Sequence, residues 1–265
     1  MSYSELCITS NFSFLKGASH PEEYIERAIN FNLKSIAIAD KNSISGVVKA
    51  YKALDESHLE LKKNHKLSFT KLIPGVTLAK DQEFEITCLA KTKNGWKNIC
   101  RILTLGKRKA KKGQCDTNYN DILKHKDDIV FLVHLLEKNR SFSEKKTWLK
   151  FLYALKATNE SIYLIMAPKY DGWDKIRFKN ISKLGQKINI DVVASATPLM
   201  HHGSRRKVLD VLSAIRRKCT IDNLGTHSSL NSEQRLRSPF ELEKIFKDHF
   251  YALNNTNTIS DLCRF

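Results

Sequence analysis

Asp128-Ile129-Val130-Phe131-Leu132-Val133-His134-Leu135 is the stretch of this sequence that decides the fold class. Its apolar residues are continuous and several are β-branched, which is typical of a strand that is buried on both faces. Six other short runs are strand-like: Glu5–Thr9, Ser35–Ala39, Lys71–Ala79, Glu85–Lys91, Ser161–Ala167 and Asp191–Ala196. Amphipathic stretches alternate with these runs, so the sequence predicts one α/β domain built largely on parallel strands.

Helix signals occur between the strand-like runs. Ser19-His20-Pro21-Glu22 and Ser238-Pro239-Phe240-Glu241 are capping boxes with proline in the first turn, and they predict helices to about Phe31 and Asp248. Asn94–Leu105 and Arg205–Arg217 each place apolar residues on one helical face. Gly106–Gly113 is predicted to be an exposed basic loop. Seven strands alternating with helices would close into a barrel with function at the carboxyl ends of the strands, and periodicity alone leaves an open doubly wound sheet as the alternative.

The chain is strongly basic, since 45 lysines and arginines against 28 acids give a net charge of +17. Much of the excess is local: residues 91–112 hold nine basic residues and no acid. A second group comprises Arg205, Arg206, Lys207, Arg216, Arg217 and Lys218. Such clusters attract polyanions, because neutralised phosphates release their counterions. Nucleic acid is therefore one candidate partner, and a solvated, lysine-rich surface is the alternative.

Several classes of protein lack their signals here. No run approaches the roughly 18 to 20 apolar residues of a membrane span, and residues 1–5 do not begin a secretory signal. We therefore expect a cytoplasmic protein without a membrane partner. The six cysteines are scattered without a Cys-x-x-Cys pair, which indicates reduced thiols. The glycine-rich nucleotide-binding motifs and the Gly-x-Ser-x-Gly nucleophile motif do not occur.

Six collinear segments resemble one family, the PHP (polymerase and histidinol phosphatase) domain of error-prone C-family bacterial DNA polymerases. They are Glu5–Glu22, Ile36–Asp40 with Ser45–Val48, Leu72–Val76, Leu89–Ala90 with Gly95–Arg101 and Lys107–Gly113, Asp210–Arg216, and Arg235–Pro239. The resemblance implies a distorted seven-stranded (β/α)7 barrel like the TIM barrel. It also implies a PHP domain over residues 1–252, and residues 253–265 as the start of a segment that leads to a polymerase body absent from this chain.

Active members of the family bind up to three metals at the strand ends, and the resemblance assigns positions to that site here. Where the family has His-x-His, this chain has Cys7 and Thr9, and its Asp-His motif is Asp40-Lys41. Thr77 stands in place of a glutamate, and the final Asp-x-His motif is Thr197-Pro198-Leu199. Of these positions Asp40 alone keeps the residue of the family motif. Threonine is a poor ligand, leucine is none and an ammonium repels cations, so we expect neither a metal cofactor nor hydrolysis.

Two further hypotheses concern this site. Lys41 could replace the missing metal charge beside Asp40 and Glu5, if these acids are buried, or its side chain could point to solvent. A residual metal site could use His201 with Asp40 and Cys7, whereas His134, within an apolar run, is more typical of a core histidine.

The resemblance implies a non-catalytic domain of a translesion, DNA-repair polymerase. Such a domain would support the polymerase body and guide DNA through Lys107, Arg108, Lys109, Lys111 and Lys112. The alternatives are a metal-dependent phosphoesterase or proofreading 3′–5′ exonuclease, and a free-standing nucleic-acid-binding module.

Overall fold

The computed structural model describes residues 2–63, 70–80, 84–135, 137–138, 141–142 and 146–264. Within these ranges, seven strands form one sheet in the order β1-β2-β3-β4-β5-β8-β9, and β6 pairs with β7 in a small ribbon. The strands are β1 Ser4–Ile8, β2 Ser35–Ile38, β3 Lys71–Lys80, β4 Phe84–Ala90, β5 Ile129–His134, β6 Glu137–Lys138, β7 Ser141–Phe142, β8 Ile162–Met166 and β9 Asp191–Ala194. All seven predicted strands are therefore present, each within a few residues of its predicted bounds.

The sheet curls into a half-barrel, which confirms the predicted barrel-like α/β architecture. Neighbouring strands are parallel except around β4, which runs antiparallel to both β3 and β5. Only three residues separate Lys80 from Phe84, and that length cannot make the crossover that a parallel neighbour requires. The sheet is thus largely parallel with one reversed strand.

Nine α-helices are present in the described residues. They are α1 Pro21–Asn30, α2 Ser45–Lys63, α3 Lys93–Lys109, α4 Tyr119–Lys124, α5 Lys146–Thr158, α6 Asp174–Ile188, α7 Arg206–Arg217, α8 Pro239–Ile245 and α9 Phe250–Leu262. Of these, α1, α2, α3, α6 and α9 pack directly against the sheet. The four predicted helices correspond to α1, α3, α7 and α8. None of the described helices is both long and apolar enough to cross a membrane.

The end of α3 corrects one prediction. The sequence predicts a loop over Gly106–Gly113, but Gly106–Lys109 form the last turn of the helix. Lysine and arginine favour helices, and cations at a helix C-terminus interact favourably with its dipole, so the basic run extends the helix. Position 106 requires glycine, because the Cβ of any other residue would lie 2.5 Å from Thr117 Oγ1 and clash with it. The basic segment is therefore half helix and half loop.

Strand β5 shows why continuous apolar runs are needed. Ile129, Phe131 and Val133 pack towards the helices in the larger core cluster. Val130 and Leu132 pack inside the half-barrel with apolar residues from the other strands. Both faces of the strand are buried, as its sequence predicts, and burial of each large aliphatic side chain contributes about 1.5–3 kcal/mol.

Helix α9 lies across the seam between the first and last strands. Its Thr256 Oγ1 accepts a hydrogen bond from the Ser4 backbone N–H at 3.3 Å, and Asn255 Nδ2 donates to the Val192 carbonyl at 2.8 Å. Ile259 and Cys263 enter the inner core cluster. The predicted division after residue 252 falls inside this helix, whose later residues pack against both ends of the sheet.

Candidate functional site

The carboxyl ends of the parallel strands surround two connected cavities, which together we call the barrel mouth. The inner cavity has a volume of about 240 Å³ and is lined by Cys7, Thr9, Thr77, Thr197 and Leu199 among others. The outer cavity, about 520 Å³, is lined by Thr9, Thr77 and Leu199 again, and by Lys41. Six of the seven positions assigned from the metal motifs therefore meet at one place, and Asp40 is the exception.

Asp40 lies beneath the mouth, fully buried, and its carboxylate binds serine groups. Ser10 donates its backbone N–H to Oδ1 at 2.8 Å and its hydroxyl to Oδ2 at 2.7 Å, and the Ser13 hydroxyl donates to Oδ1 at 2.7 Å. Gly46, in the first turn of α2, is so close that a Cβ there would lie 2.3 Å from Oδ2. Burial raises the pKa of Asp40, and the hydrogen bonds from Ser10 and Ser13 oppose that rise.

Glu5 is a second buried carboxyl, and it joins the two ends of the sheet. Oε1 accepts hydrogen bonds from the Cys7 N–H at 3.1 Å and the Ser195 hydroxyl at 2.5 Å. Oε2 accepts from the Tyr3 hydroxyl at 2.8 Å and the Ala196 N–H at 2.9 Å. Burial raises the pKa of Glu5 and outweighs these four donors. Because Ser195 and Ala196 follow β9, the side chain links the first strand to the last.

A hydrogen-bonded chain fixes the tautomer of His134. The Thr77 hydroxyl donates to the Ala39 carbonyl at 2.9 Å, so towards Thr87, 2.7 Å away, Thr77 can only accept. The Thr87 hydroxyl therefore donates its hydrogen to Thr77, and its oxygen must accept a hydrogen bond from His134 Nε2 at 2.8 Å. His134 Nε2 therefore carries a hydrogen and offers no lone pair to a metal. Burial also lowers the pKa of this imidazole, which favours its neutral form.

Thr197 adopts a strained backbone at the edge of the mouth. Its φ is +42°, in the left-handed region that a β-branched residue rarely adopts. The following Pro198 also disfavours helical backbone at this position. A hydrogen bond from the Thr197 N–H to the Ser195 hydroxyl, 2.9 Å long, and one from the Thr9 N–H to the Pro198 carbonyl, 3.1 Å long, hold the turn. Strain of this kind, typically 1–3 kcal/mol, concentrates at functional sites.

The charge at the outer cavity is positive. Lys16, Lys41, Lys169 and Arg216 line it, together with the acids Glu85 and Asp171. Burial and a hydrogen bond from the neighbouring Lys41 ammonium lower the pKa of Lys16 to about 8. Two of these amines thus lie side by side at the outer cavity.

These residues do not fit a cluster of divalent cations. Asp40 and Glu5 are held by protein donors, and the Nε2 atom of His134 presents a hydrogen rather than a lone pair. In the part of the chain that the structure describes, no group of three or more His, Cys, Asp and Glu side chains is arranged to hold a metal ion.

The hypothetical trio of His201, Asp40 and Cys7 is not assembled. His201 Nδ1 lies 2.8 Å from the Ser19 hydroxyl and 3.7 Å from Glu23, on the side of α1.

The basic segment reaches the mouth through a groove. This basic groove, about 1180 Å³, is lined by Lys107, Lys109, Lys111 and Lys112 on one side, and by Phe12, Phe14, Lys16 and Lys41 on the other. Lys16 and Lys41 also line the outer cavity, so the groove and the mouth are continuous. Lys109 is partly neutralised, because Nζ donates to both oxygens of Asp121 at 2.7 and 2.9 Å. Arg108 is exposed but does not line the groove.

Sequence reasoning did not assign five charged residues to the mouth: Lys16, Glu85, Lys169, Asp171 and Arg216. Lys16 lies within the Glu5–Glu22 segment and Arg216 within the second basic group. The sequence did not show that the two side chains meet at one cavity. Arg216 reaches the first loop, where one of its guanidinium N–H groups donates to the Leu15 carbonyl at 3.3 Å. Contacts across about 200 positions leave no local pattern.

Comparisons with known proteins agree with this geometry. A family model described as the PHP domain matches residues 5–163. The error-prone DNA polymerase of Ruegeria pomeroyi is 32% identical over 303 residues, covering 100% of this chain and 26% of the relative. That of Vibrio vulnificus is 32% identical over 265 residues, covering 100% of this chain and 24% of the relative. The chain therefore spans about a quarter of the length of these curated relatives.

One solved structure shows the likeness of fold. It is described as a metal-dependent phosphoesterase of Bifidobacterium adolescentis, and it superposes with a TM-score of 0.50 at 11% identity. The superposition covers 74% of this chain and 87% of that one. Because the family model matches more than half of the sequence, this chain belongs to the PHP domain family.

Proposed function

We propose that this chain is a non-catalytic PHP domain that contacts DNA along the basic groove and supports a polymerase body. The proposal follows the homology to the N-terminal regions of error-prone DNA polymerases. In such an enzyme the domain would serve translesion synthesis during DNA repair in the cytoplasm. The observation that carries the proposal is the continuous positive surface from Lys111 and Lys112 to Lys16 and Lys41 at the barrel mouth.

The loss of hydrolysis follows from electrostatics and donor chemistry. Metal-dependent cleavage of a phosphodiester needs cations that activate water and neutralise the phosphate charge. Here Lys16 and Lys41 line the mouth, and Asp40, the one acid among the assigned motif positions, accepts three hydrogen bonds from Ser10 and Ser13. Amines neutralise phosphate charge but do not generate hydroxide from bound water. The mouth therefore suits binding rather than turnover.

A hydrolysis assay tests the catalytic part of the proposal. The purified chain is incubated with a phosphodiester substrate and with a 3′-recessed DNA duplex, each with added Mn²⁺ or Zn²⁺. We expect no turnover above that of the Asp40→Asn variant. Metal-dependent turnover that this substitution abolishes would favour the alternative, a phosphoesterase or proofreading exonuclease.

DNA binding is tested with charge-matched triple variants. Lys107, Lys111 and Lys112 are changed together to glutamine, whereas Lys109 is retained because it binds Asp121. The control changes Lys175, Lys179 and Lys183, which are exposed on α6 away from the groove. Fluorescence anisotropy with a single-stranded oligonucleotide between 50 and 200 mM salt gives the salt dependence of affinity.

Each lost phosphate contact should lower the slope of log affinity against log salt by about 0.7. We therefore expect the groove variant to lose about 2 from the slope, and the control variant to keep the slope of the unmodified chain. Equal losses in both variants would mean that net charge, rather than the groove, attracts DNA.

A further inference from the structure

In the outer cavity, cations from separate parts of the chain lie beside side chains with hydroxyl and amide groups. Cations from three parts of the chain converge on it: Lys16 before α1, Lys41 after β2 and Arg216 near the end of α7. Side chains with hydroxyl or amide groups complete the wall, among them Thr9, Ser213, Ser229 and Gln234. Hydroxyl and amide donors around a cationic centre are the groups that bind a phosphate in proteins.

The acids that line the cavity do not balance its cations. Asp171 is held by Arg177, whose guanidinium donates to both carboxylate oxygens at 3.2 and 2.6 Å. Glu85 is then the acid left to face Lys16, whose charge it supports, while Lys41 and Arg216 oppose that charge. Among the described lining residues, positive charge therefore remains in excess.

The two amines are close together before any ligand binds. The Lys16 and Lys41 side chains are within hydrogen-bonding distance, and their repulsion, added to burial, lowers the pKa of Lys16 to about 8. An anion between them would relieve that repulsion and restore full protonation of Lys16. The position of Arg216 is fixed independently by its hydrogen bond to the Leu15 carbonyl.

We propose that the outer cavity is a metal-independent binding site for a dianionic phosphate group, held by Lys16, Lys41 and Arg216. The group is either inorganic phosphate or the terminal phosphate of a nucleic-acid strand, since both present the same oxygens. Phosphate binding here does not require DNA in the basic groove, so either proposal can fail alone. The lysines replace the charge that divalent cations supply in metal-dependent members of the fold class.

Isothermal titration calorimetry of the chain with inorganic phosphate, in buffer with EDTA at pH 8, tests the site. Because Lys16 is about half protonated at that pH, binding should take up about half a proton per phosphate. Repeating the titration in buffers of different ionisation enthalpy measures that uptake. Lys16→Met should weaken binding at least tenfold and abolish the uptake, Lys16→Arg should retain binding, and Lys175→Met should bind as the unmodified chain does.

The source of the phosphate is resolved with two oligonucleotides of one sequence, with and without a terminal phosphate. A preference for the phosphorylated strand that Lys16→Met removes identifies a strand end, whereas binding of inorganic phosphate alone identifies the free ion. The groove triple variant should weaken both oligonucleotides equally and leave inorganic phosphate unaffected.

The proposal is overturned if inorganic phosphate and phosphorylated strand both fail to bind at this site. It is overturned equally if binding needs added Mn²⁺ or Zn²⁺, or if a folded Lys16→Met chain binds unchanged.

Discussion

Replacement of Asp40 by asparagine distinguishes a structural carboxylate from a remnant metal ligand. In the folded chain, Oδ1 accepts hydrogen bonds from the Ser10 N–H and the Ser13 hydroxyl, and Oδ2 accepts from the Ser10 hydroxyl. An asparagine oxygen can keep the first two bonds. Its amide nitrogen would meet the Ser10 hydroxyl as a second donor, so that one bond must reverse or break. The change alters one hydrogen bond and one charge at almost constant volume.

The magnitude follows from these contacts. A hydrogen bond to a charged group contributes about 1.5–3 kcal/mol, and bonds to a neutral oxygen are about half as strong as those to a carboxylate. Against this loss stands the cost of burying the charge, which raises the pKa of Asp40. We expect Asp40→Asn to lower the free energy of unfolding by about 2 kcal/mol. Asp40→Ala, which leaves three donors unpaired, should lower it by about 3–5 kcal/mol.

Urea unfolding followed by circular dichroism at pH 7, with EDTA, measures both losses by linear extrapolation. Asp55→Asn is the control, because Asp55 is exposed on α2 and its substitution should stay within about 0.5 kcal/mol. The reasoning is refuted if Asp40→Asn is as stable as the unmodified chain. Stabilisation of the unmodified chain, but not of the variant, by Mn²⁺ or Zn²⁺ would instead identify Asp40 as a ligand.

Three more predictions follow from buried contacts. Burial raises the pKa of Glu5, so its contribution to stability is full below its ordinary pKa and is lost as pH rises through the raised value. In urea titrations, the stability advantage of the unmodified chain over Glu5→Gln should therefore shrink between pH 4 and 8. An advantage that grows with pH would contradict this prediction. Gly46→Ala would place a Cβ 2.3 Å from Asp40 Oδ2, so we expect a loss of about 1–2 kcal/mol where an unhindered helix position would gain about 1 kcal/mol. Thr197→Gly relieves the left-handed backbone at φ +42° and should raise the free energy of unfolding by about 1 kcal/mol; a less stable variant in thermal melts would show that the threonine side chain compensates the strain.

Local pattern was sufficient for the seven strands of the main sheet and for four of the nine described helices. The run Ile129–Val133 predicts a strand covered on both faces, and the proline-containing capping boxes predict the starts of α1 and α8, because these signals involve neighbouring residues. The resemblance to a family placed six of seven motif positions around one mouth. In contrast, the glycine and the basic run favoured a loop at Gly106–Gly113, whereas the helix propensity of Lys and Arg and their interaction with the helix dipole extend α3 to Lys109.

The electrostatics of the site could not be predicted from the sequence, because they depend on contacts between residues that are distant along the chain. Lys41 was considered as a partner of Asp40, but the carboxylate is served by Ser10 and Ser13, and the lysine lies beside Lys16. The tautomer of His134 depends on hydroxyls from two other strands. Whether Lys41 also compensates the buried acids stays a prediction, tested by the thermal stability of Lys41→Met.

The buried carboxyl of Glu5 has a consequence for how this chain is made. Two of its four donors, Ser195 and Ala196, are synthesised long after Glu5 itself leaves the ribosome. Until they arrive, strand β1 exposes an acid with half of its partners and an apolar inner face without its cover from α9. Contacts so distant in sequence form slowly and expose chains to aggregation. Strand β1 is thus secured only after β9 and α9 have been synthesised, and we expect incomplete chains of this domain to aggregate more readily than the whole domain.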